Sequence, residues 1–259
     1  MSELRYLFVY YSDIDPKNLS DDLIMRYLLY LSKTLACSRV KCKMAAQSIA
    51  FFFRHVLKTP YAIPSVIYPR LASKLPAVMS TADIKMLVDS LKNMKHRAVV
   101  MMLYSTGMRL SEIAALKITD IDSKNMRIKV VQGKGAKDRF TILSKQVLQE
   151  LRAYYIIYKP KEYLFNGSRP GKPFSMRAIQ HFVHKALMML NFENKHYSVH
   201  TIRHSFATHL VDNGTDLHTV KELLGHTNLQ TTMRYMHLSK IRIQNVVNPY
   251  DRLVKNQSK

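Results

Sequence analysis

The chain has 259 residues, 47% of them hydrophobic, and its 40 Lys and Arg against 18 Asp and Glu give a formal net charge of +22. The length permits one large domain or two ordinary ones, and the sequence has no apolar run of the roughly 18 residues that a membrane span needs. A folded chain with this charge most often binds a polyanion, and nucleic acid is the first expectation. A merely soluble basic protein and a binder of anionic membranes are the alternatives.

The two cysteines, Cys37 and Cys42, are too few for a disulfide framework and poorly spaced for a bridge within a helix. They are interpreted as buried, small apolar residues in a reducing compartment. The first residues are too acidic, and the stretch too short, for a secretory signal. These features predict a cytoplasmic protein, and binding to nucleic acid would associate it with the bacterial nucleoid.

Residues 1–58 are predicted to form a helical domain. Ser20 and Ser38 are the expected N-caps of two of its helices. The apolar positions expected to face its core are Leu23, Tyr27, Leu28 and Leu31 in one helix and Met44, Ile49, Phe52, Phe53 and Val56 in the other. The run Phe51–Phe53 is assigned to the core rather than to stacking on bases.

Residues 59–79 are predicted to be a linker because they contain Pro60, Pro64, Pro69 and Pro76, and prolines at this density break helices. Residues 80–259 then form the second domain with its C-terminal tail. Its first helix starts with a capping-box-like pair, Ser80 and Asp83, and its second stops at Gly107.

A short helix is predicted to follow Gly107, and then two strands, 126–131 and 139–143, that form a β-hairpin around a basic loop. Further helices are predicted at about 144–158, 175–190, 199–213, 216–224, 228–235 and 239–247. The predicted fold class is mainly α with a small antiparallel β-sheet, in two domains.

Six side chains that could take part in catalysis occur along the second domain: Arg109, Lys134, His200, Arg203, His226 and Tyr235. Each has an ordinary interpretation when taken alone, either as a solvated surface residue or as packing. The glycines around Lys134 do not have the spacing of a phosphate-binding P-loop. His200 and His204 have a spacing that suits zinc, but no Glu follows the first and no third ligand is evident, so no metal is expected.

Together the six make sense as a site that acts on a phosphodiester. Two arginines can clamp the non-bridging oxygens, histidines add donors, and a lysine can protonate the leaving 5′ oxygen. A tyrosine hydroxyl can serve as the nucleophile. The chemistry needs no cofactor and no metal, and the acid-poor sequence shows no cluster for a two-metal site.

The order and intervals of these residues resemble the tyrosine site-specific recombinases of the lambda-integrase or Xer type. The matching stretches are "YSTGMRLSEIAALKITDID", "GKGAKDR" and "HTIRHSFATHLVDNGTDLHTVKELLGHTNLQTTMRYMHLS". They cover most of residues 80–240, and the first 58 residues more loosely resemble the helical, SAM-like core-binding domain of that family.

The resemblance implies a role for each residue. Arg109 and Arg203 would hold the scissile phosphate, and His226 would hydrogen-bond it and stabilise the transition state. Tyr235 would attack and form a 3′-phosphotyrosine, with Lys134 as general acid to the 5′ hydroxyl.

His200 would assist proton transfer and position the phosphate. The resemblance further implies that His204 is structural and that Glu112 braces the helix that carries Arg109.

The resemblance also implies that the enzyme clamps double-stranded DNA between its two parts and acts as a homo-tetramer that exchanges strands through a Holliday junction, without ATP. Accessory DNA-bending proteins and a place on a mobile element are compatible with it. The tail after residue 238 would dock on a neighbouring subunit or pack in cis. The chain starts at about the family's first helix, so an additional arm-site-binding domain is not expected.

Three other classes remain as alternatives. A type IB topoisomerase uses a similar set of residues, although the "HTIRHSFATHL" and "LLGH" wording favours a recombinase. A DNA-binding regulator that never cleaves would have been favoured by the loss of one of the six residues. A metal-dependent nuclease would lose its activity in excess EDTA.

Overall fold

A computed structural model describes residues 3–59, 77–131, 138–169 and 171–236. The chain divides into two compact units, residues 1–74 and 75–259. Lys134, the basic hairpin loop, most of the predicted linker, the predicted helix at 239–247 and the tail lie outside the described residues. Within the described ranges, no helix is long and apolar enough to cross a membrane.

The described part of the first unit contains three helices, α1 (Glu3–Tyr10), α2 (Asp21–Leu29) and α3 (Arg39–Phe51), with a 3₁₀ turn at Pro16–Asn18. Helices α2 and α3 continue into π-helical turns at Tyr30–Thr34 and Phe52–Leu57. The predicted caps are confirmed, because Ser20 Oγ accepts from the N–H of Leu23 at 3.4 Å and Ser38 Oγ accepts from that of Lys41 at 3.3 Å.

Part of the predicted core of this unit is wrong. Met44 and Val56 are 53% and 60% exposed, and in the phenylalanine run only Phe53 is buried while Phe51 is 62% exposed. Successive residues of a helix point about 100° apart, so three in a row cannot share one buried face. Both cysteines are free, with Cys42 buried and Cys37 half-buried.

The second unit is also mainly helical, as predicted. Its described residues form the helices α4 (Thr81–Ser90), α5 (Met94–Thr106), α6 (Leu110–Ala115), α7 (Lys145–Tyr158), α8 (Met176–Met189), α9 (Val199–Asp212), α10 (Leu217–Leu224) and α11 (Leu229–Met236), with 3₁₀ turns at Ile118–Asp120 and Glu193–Lys195. Ser80 caps α4 by accepting from the N–H of Asp83 at 3.0 Å.

A three-stranded antiparallel sheet completes the second unit, in the order β1 (Ile121–Asp122), β2 (Arg127–Val130) and β3 (Arg139–Ile142). The predicted hairpin is confirmed, with Val130 paired to Arg139. The strand β1 was not predicted, since two residues are too short to show an alternating pattern. Helices together with one small antiparallel sheet confirm the predicted fold class.

The turn after α5 fixes the start of α6 against α9. Gly107 ends α5 with φ of 61°, a left-handed conformation that favours glycine. A Cβ at this position would lie 2.3 Å from the ring of Phe206 in α9. Only glycine permits this approach, and Arg109 follows two residues later as the N-cap of α6.

Candidate active site

The structure brings five of the six predicted residues to one cavity of about 450 Å³, at the meeting of α6, α9, α11 and the turn between α10 and α11. The five are Arg109, His200, Arg203, His226 and Tyr235. His204, Arg234 and Gln180 also line the cavity. Lys134 lies outside the described residues and its place stays a prediction.

Arg109 is held by a carboxylate and a helix end. Its backbone N–H donates to Glu112 Oε2 at 2.7 Å and its Nη1 donates to Oε1 at 2.7 Å. Its Nη2 donates to the carbonyl oxygen of Gly225 at 3.0 Å. Glu112 therefore braces both the first turn of α6 and the guanidinium group, as predicted.

Sequence reasoning missed Arg139, which holds the same carboxylate from β3. Its two terminal nitrogens donate to Glu112 Oε1 and Oε2 at 2.9 and 2.8 Å, and its Nε donates to the carbonyl of Leu223 at 3.0 Å. Strand alternation is a signal that points to it, because Arg139 shares the sheet face of the buried Thr141 and Val130.

Glu112 is an ionised carboxylate in this arrangement. Burial by itself raises the pKa of Glu112, but the hydrogen bonds from Arg139 and Arg109 outweigh it and hold the pKa at about 2. Its side chain is only 6% exposed, so this charge is enclosed between two arginines.

Arg203 is buried against the carboxyl ends of two helices. Its Nη1 donates to the carbonyl of Gly107, which follows α5, and its Nη2 donates to the carbonyl of Leu224, which ends α10, at 2.7 Å. Helix C-terminal carbonyls lack helical partners and carry partial negative charge. Burial, and then the charge of Arg109, lower the pKa of Arg203 to about 10, so the side chain stays charged at neutral pH.

The contacts of His226 define its tautomer. Its Nε2 lies 3.3 Å from Nη2 of Arg203 and its Nδ1 lies 2.9 Å from Thr232 Oγ1. A guanidinium group only donates, so Nε2 accepts, and Nδ1 carries the proton and donates to Thr232. Burial, followed by the charges of Arg203 and Arg109, lowers the pKa of His226 to about 4, which leaves the ring neutral.

Tyr235 lies inside the second unit with 1% of its surface exposed, in a cluster with Phe206, Val220 and Leu224. Its hydroxyl lies 3.0 Å from Nδ1 of His204. Burial raises the pKa of Tyr235, while Arg203 and other arginines act in the opposite direction.

His200 occupies the first turn of α9 and is exposed at the cavity. His204, one turn further along, directs Nδ1 to Tyr235. Across the described ranges, no group of three His, Cys, Asp or Glu side chains is arranged to hold a metal ion. The described residues that line the cavity include three arginines, three histidines and the hydroxyl groups of Ser111, Thr227, Thr231 and Tyr235. Cationic guanidinium groups beside hydroxyl groups suit an oxyanion such as a phosphodiester.

Comparison with known proteins identifies the class. The phage integrase family matches residues 77–242, more than half of the chain. A Sinorhizobium fredii protein of the integrase/recombinase type is 34% identical over 92% of this chain and 77% of its own length. Tyrosine recombinase XerD of Staphylococcus saprophyticus is 33% identical over 78% of this chain and 73% of its own length.

Solved structures agree on the fold. The XerH site-specific recombinase, in a post-cleavage complex with palindromic difH substrate, matches with a TM-score of 0.75 at 22% identity, over 96% of this chain and 78% of that chain. The Tn1549 transposon integrase in complex with circular intermediate DNA matches with a TM-score of 0.67 at 16% identity, over 95% and 87%.

The chain belongs to the phage integrase family, that of the tyrosine site-specific recombinases. This confirms the resemblance found in the sequence. The chain is accordingly a tyrosine site-specific recombinase, an enzyme that cleaves and rejoins DNA strands through a tyrosine.

Proposed function

We propose that this chain recombines double-stranded DNA at a specific site, with Tyr235 as the nucleophile that forms a 3′-phosphotyrosine. The observation that carries the proposal is the convergence of Arg109, Arg203, His226 and Tyr235 on one cavity. A tyrosine ester stores the energy of the broken phosphodiester bond, so rejoining needs no ATP.

Arg109 and Arg203 are assigned to the non-bridging oxygens of the scissile phosphate. The contacts of Arg203 engage at most three of its five N–H donors, so donors remain for a phosphate oxygen. Because Glu112 and the carbonyl of Gly225 already fix Arg109, little reorganisation is needed when charge builds on the phosphate.

His226 is assigned to the same oxyanion and His200 to positioning and proton transfer. In the structure His226 Nε2 accepts from Arg203, so Nε2 must gain a proton before it can donate to phosphate, either through protonation of the ring or through the other neutral tautomer, in which Thr232 Oγ1 would donate to Nδ1. The negative charge of bound DNA raises the pKa of a neighbouring imidazole and favours that gain. Lys134 is assigned as the general acid that protonates the leaving 5′ oxygen.

The substrate assignment rests on the relatives. XerH and the Tn1549 integrase are described in complexes with DNA, and this chain carries a formal charge of +22. Its affinity for DNA phosphates should weaken steeply with salt.

We assign residues 1–58 to DNA binding, 59–79 to a linker and 80–259 to catalysis. The enzyme would act in the bacterial cytoplasm as a DNA-bound homo-tetramer that resolves a Holliday junction.

Covalent capture tests the proposal. The protein is incubated in EDTA with nicked duplex fragments from its own genomic surroundings, then denatured, and retained DNA is scored by gel. We expect a protein–DNA adduct with the wild type and with Tyr104→Phe, which removes a different half-buried tyrosine hydroxyl, and none with Tyr235→Phe. An adduct that persists in Tyr235→Phe would reject the assignment of the nucleophile.

A further inference from the structure

Helix α9 makes two similar contacts with tyrosines, five residues apart. His204 Nδ1 lies 3.0 Å from the hydroxyl of Tyr235, and His209 Nδ1 lies 2.9 Å from the hydroxyl of Tyr104. Only the first pair lies at the cavity that holds the two arginines, since His209 and Tyr104 line a different one. The first pair therefore joins a histidine to the atom that attacks phosphorus under the proposed function.

His204 is uncharged in this arrangement. Burial, and then the charges of Arg234, Arg203 and His200, lower the pKa of His204 to about 4. A neutral imidazole has one ring nitrogen with a free lone pair. With the proton on Nε2, the lone pair on Nδ1 faces the hydroxyl of Tyr235.

We propose that His204 holds the hydroxyl of Tyr235 and accepts its proton as that oxygen attacks the phosphate. The inference deepens the proposed function and rests on Tyr235 being the nucleophile. The sequence assigned His204 a structural role and assigned assistance in proton transfer to His200, whereas the hydrogen bond that the structure gives to the Tyr235 hydroxyl is with His204.

The step balances in both directions. As the bond from Tyr235 Oη to phosphorus forms, the hydroxyl proton passes to His204 Nδ1. The bond from phosphorus to the 5′ oxygen breaks, and Lys134 gives that oxygen a proton. In rejoining, the 5′ hydroxyl returns its proton to Lys134 and attacks phosphorus, and Tyr235 recovers its own proton from His204.

The surrounding charges tie this transfer to bound DNA. A proton on His204 would stand beside Arg203 on α9 and Arg234 on α11, both cationic. The negative charge that gathers on the phosphate offsets that repulsion during attack. Without DNA the proton stays on Tyr235, so the buried hydroxyl is protected from reacting elsewhere.

The test compares His204→Gln with the matched control His209→Gln, because each replaces one of the two histidines of α9 that contact a tyrosine hydroxyl. Glutamine retains hydrogen bonding but cannot take up a proton. Single-turnover formation of the covalent adduct on nicked DNA should fall about 100-fold in His204→Gln, with DNA affinity within about twofold of wild type. His209→Gln should cleave at the wild-type rate.

A second substrate separates proton acceptance from packing and from the leaving-group step. With sulfur in place of the 5′-bridging oxygen, the leaving group needs no protonation. Lys134→Ala should regain its cleavage rate on this substrate, whereas His204→Gln should remain slow. His204→Ala should be accelerated by added imidazole, which can enter the space and accept the proton.

The outcomes distinguish this inference from the proposed function. Absence of any adduct with the wild type would contradict the proposed function itself. A wild-type adduct together with His204→Gln that cleaves within threefold of wild type would overturn only the role of His204. A lowered melting temperature with slow cleavage that imidazole does not restore would make His204 a structural residue and overturn it also.

Discussion

The two units bury different kinds of side chain. Among the described residues, every buried polar or charged side chain belongs to the second unit, including Asp83, Arg203 and Thr232, whereas the buried positions of the first unit are all hydrophobic. Burying a charge is costly unless it is paired and hydrogen-bonded. At the cavity of the second unit, hydrogen bonds from the arginines to helix carbonyls and to Glu112 offset that cost. These contacts fix the arginines before any phosphate binds.

This difference makes the cavity the most sensitive part of the molecule to loss of one charge. Glu112→Ala should destabilise the second unit by about 3–5 kcal/mol, because it leaves Arg139 and Arg109 with an unpaired buried charge. The unfolding midpoint in urea measures this. The contrast between the units would fail if Glu112→Ala cost less than Ile49→Val in the first unit, for which about 1 kcal/mol is expected.

Arg203→Lys retains the charge and tests whether geometry matters. Lysine lacks the planar fork that reaches the carbonyls of Gly107 and Leu224 together. We expect adduct formation to slow by about 100- to 1000-fold, measured under single turnover. Cleavage within a few-fold of wild type would show that a point charge suffices there.

Acid should destabilise the second unit in two stages. The pKa values of His204 and His226 are about 4 in the folded chain against about 6.5 when unfolded, so the unfolded chain binds more protons between these values. Stability is therefore lost as pH falls from about 6.5 to 4, on the order of 2 kcal/mol after allowance for solvent screening. The second stage comes from Glu112, whose pKa is about 2 in the folded chain. Stability is lost further as the pH falls from the ordinary pKa of a glutamate toward 2.

Thermal unfolding across this pH range measures the effect. His226→Asn should flatten the slope between pH 6.5 and 4, whereas His184→Asn, which changes an exposed histidine of α8, should keep the wild-type slope. An identical slope in both variants would exclude His226 as a cause of it.

A backbone change should act more weakly. Gly225 has φ of 62°, and a Cβ there would lie 2.7 Å from Cδ of Arg139. Gly225→Ala should cost about 1–2 kcal/mol and slow cleavage by displacing Arg139, whereas Gly214→Ala, with φ of 84° and nothing within 4 Å, carries only the backbone strain. Equal cleavage rates in the two variants would show that the contact with Arg139 is unimportant.

The smallest effect is expected in the first unit. Phe51→Ser removes a side chain that is 62% exposed and should change stability by less than about 0.5 kcal/mol. Phe53→Ser, two residues along and buried, should cost several-fold more. A large loss in the Phe51 variant would restore the sequence-based assignment of that residue to the core.

Local patterns predicted much of the fold. The caps at Ser20, Ser38 and Ser80, the stop at Gly107 and the hairpin each depend on residues within a few positions of one another, which a sequence displays directly. The order of residues from Arg109 to Tyr235 likewise identified the family.

The missed contacts join residues that are distant along the chain. Arg139 and Glu112 are 27 positions apart, and His204 and Tyr235 are 31 apart. Periodicity assigns each to a face of its own element but does not say which faces meet. The roles of the six predicted residues, Lys134 included, and the boundaries at 58 and 79 stay predictions.

The most direct test of Tyr235 as the nucleophile is mass spectrometry of the covalent adduct. After nuclease digestion of the captured complex and proteolysis, we expect one modified peptide, from α11, with a nucleotide attached to Tyr235 through its 3′ phosphate. A nucleotide on any other side chain, or attachment through a 5′ phosphate, would contradict it.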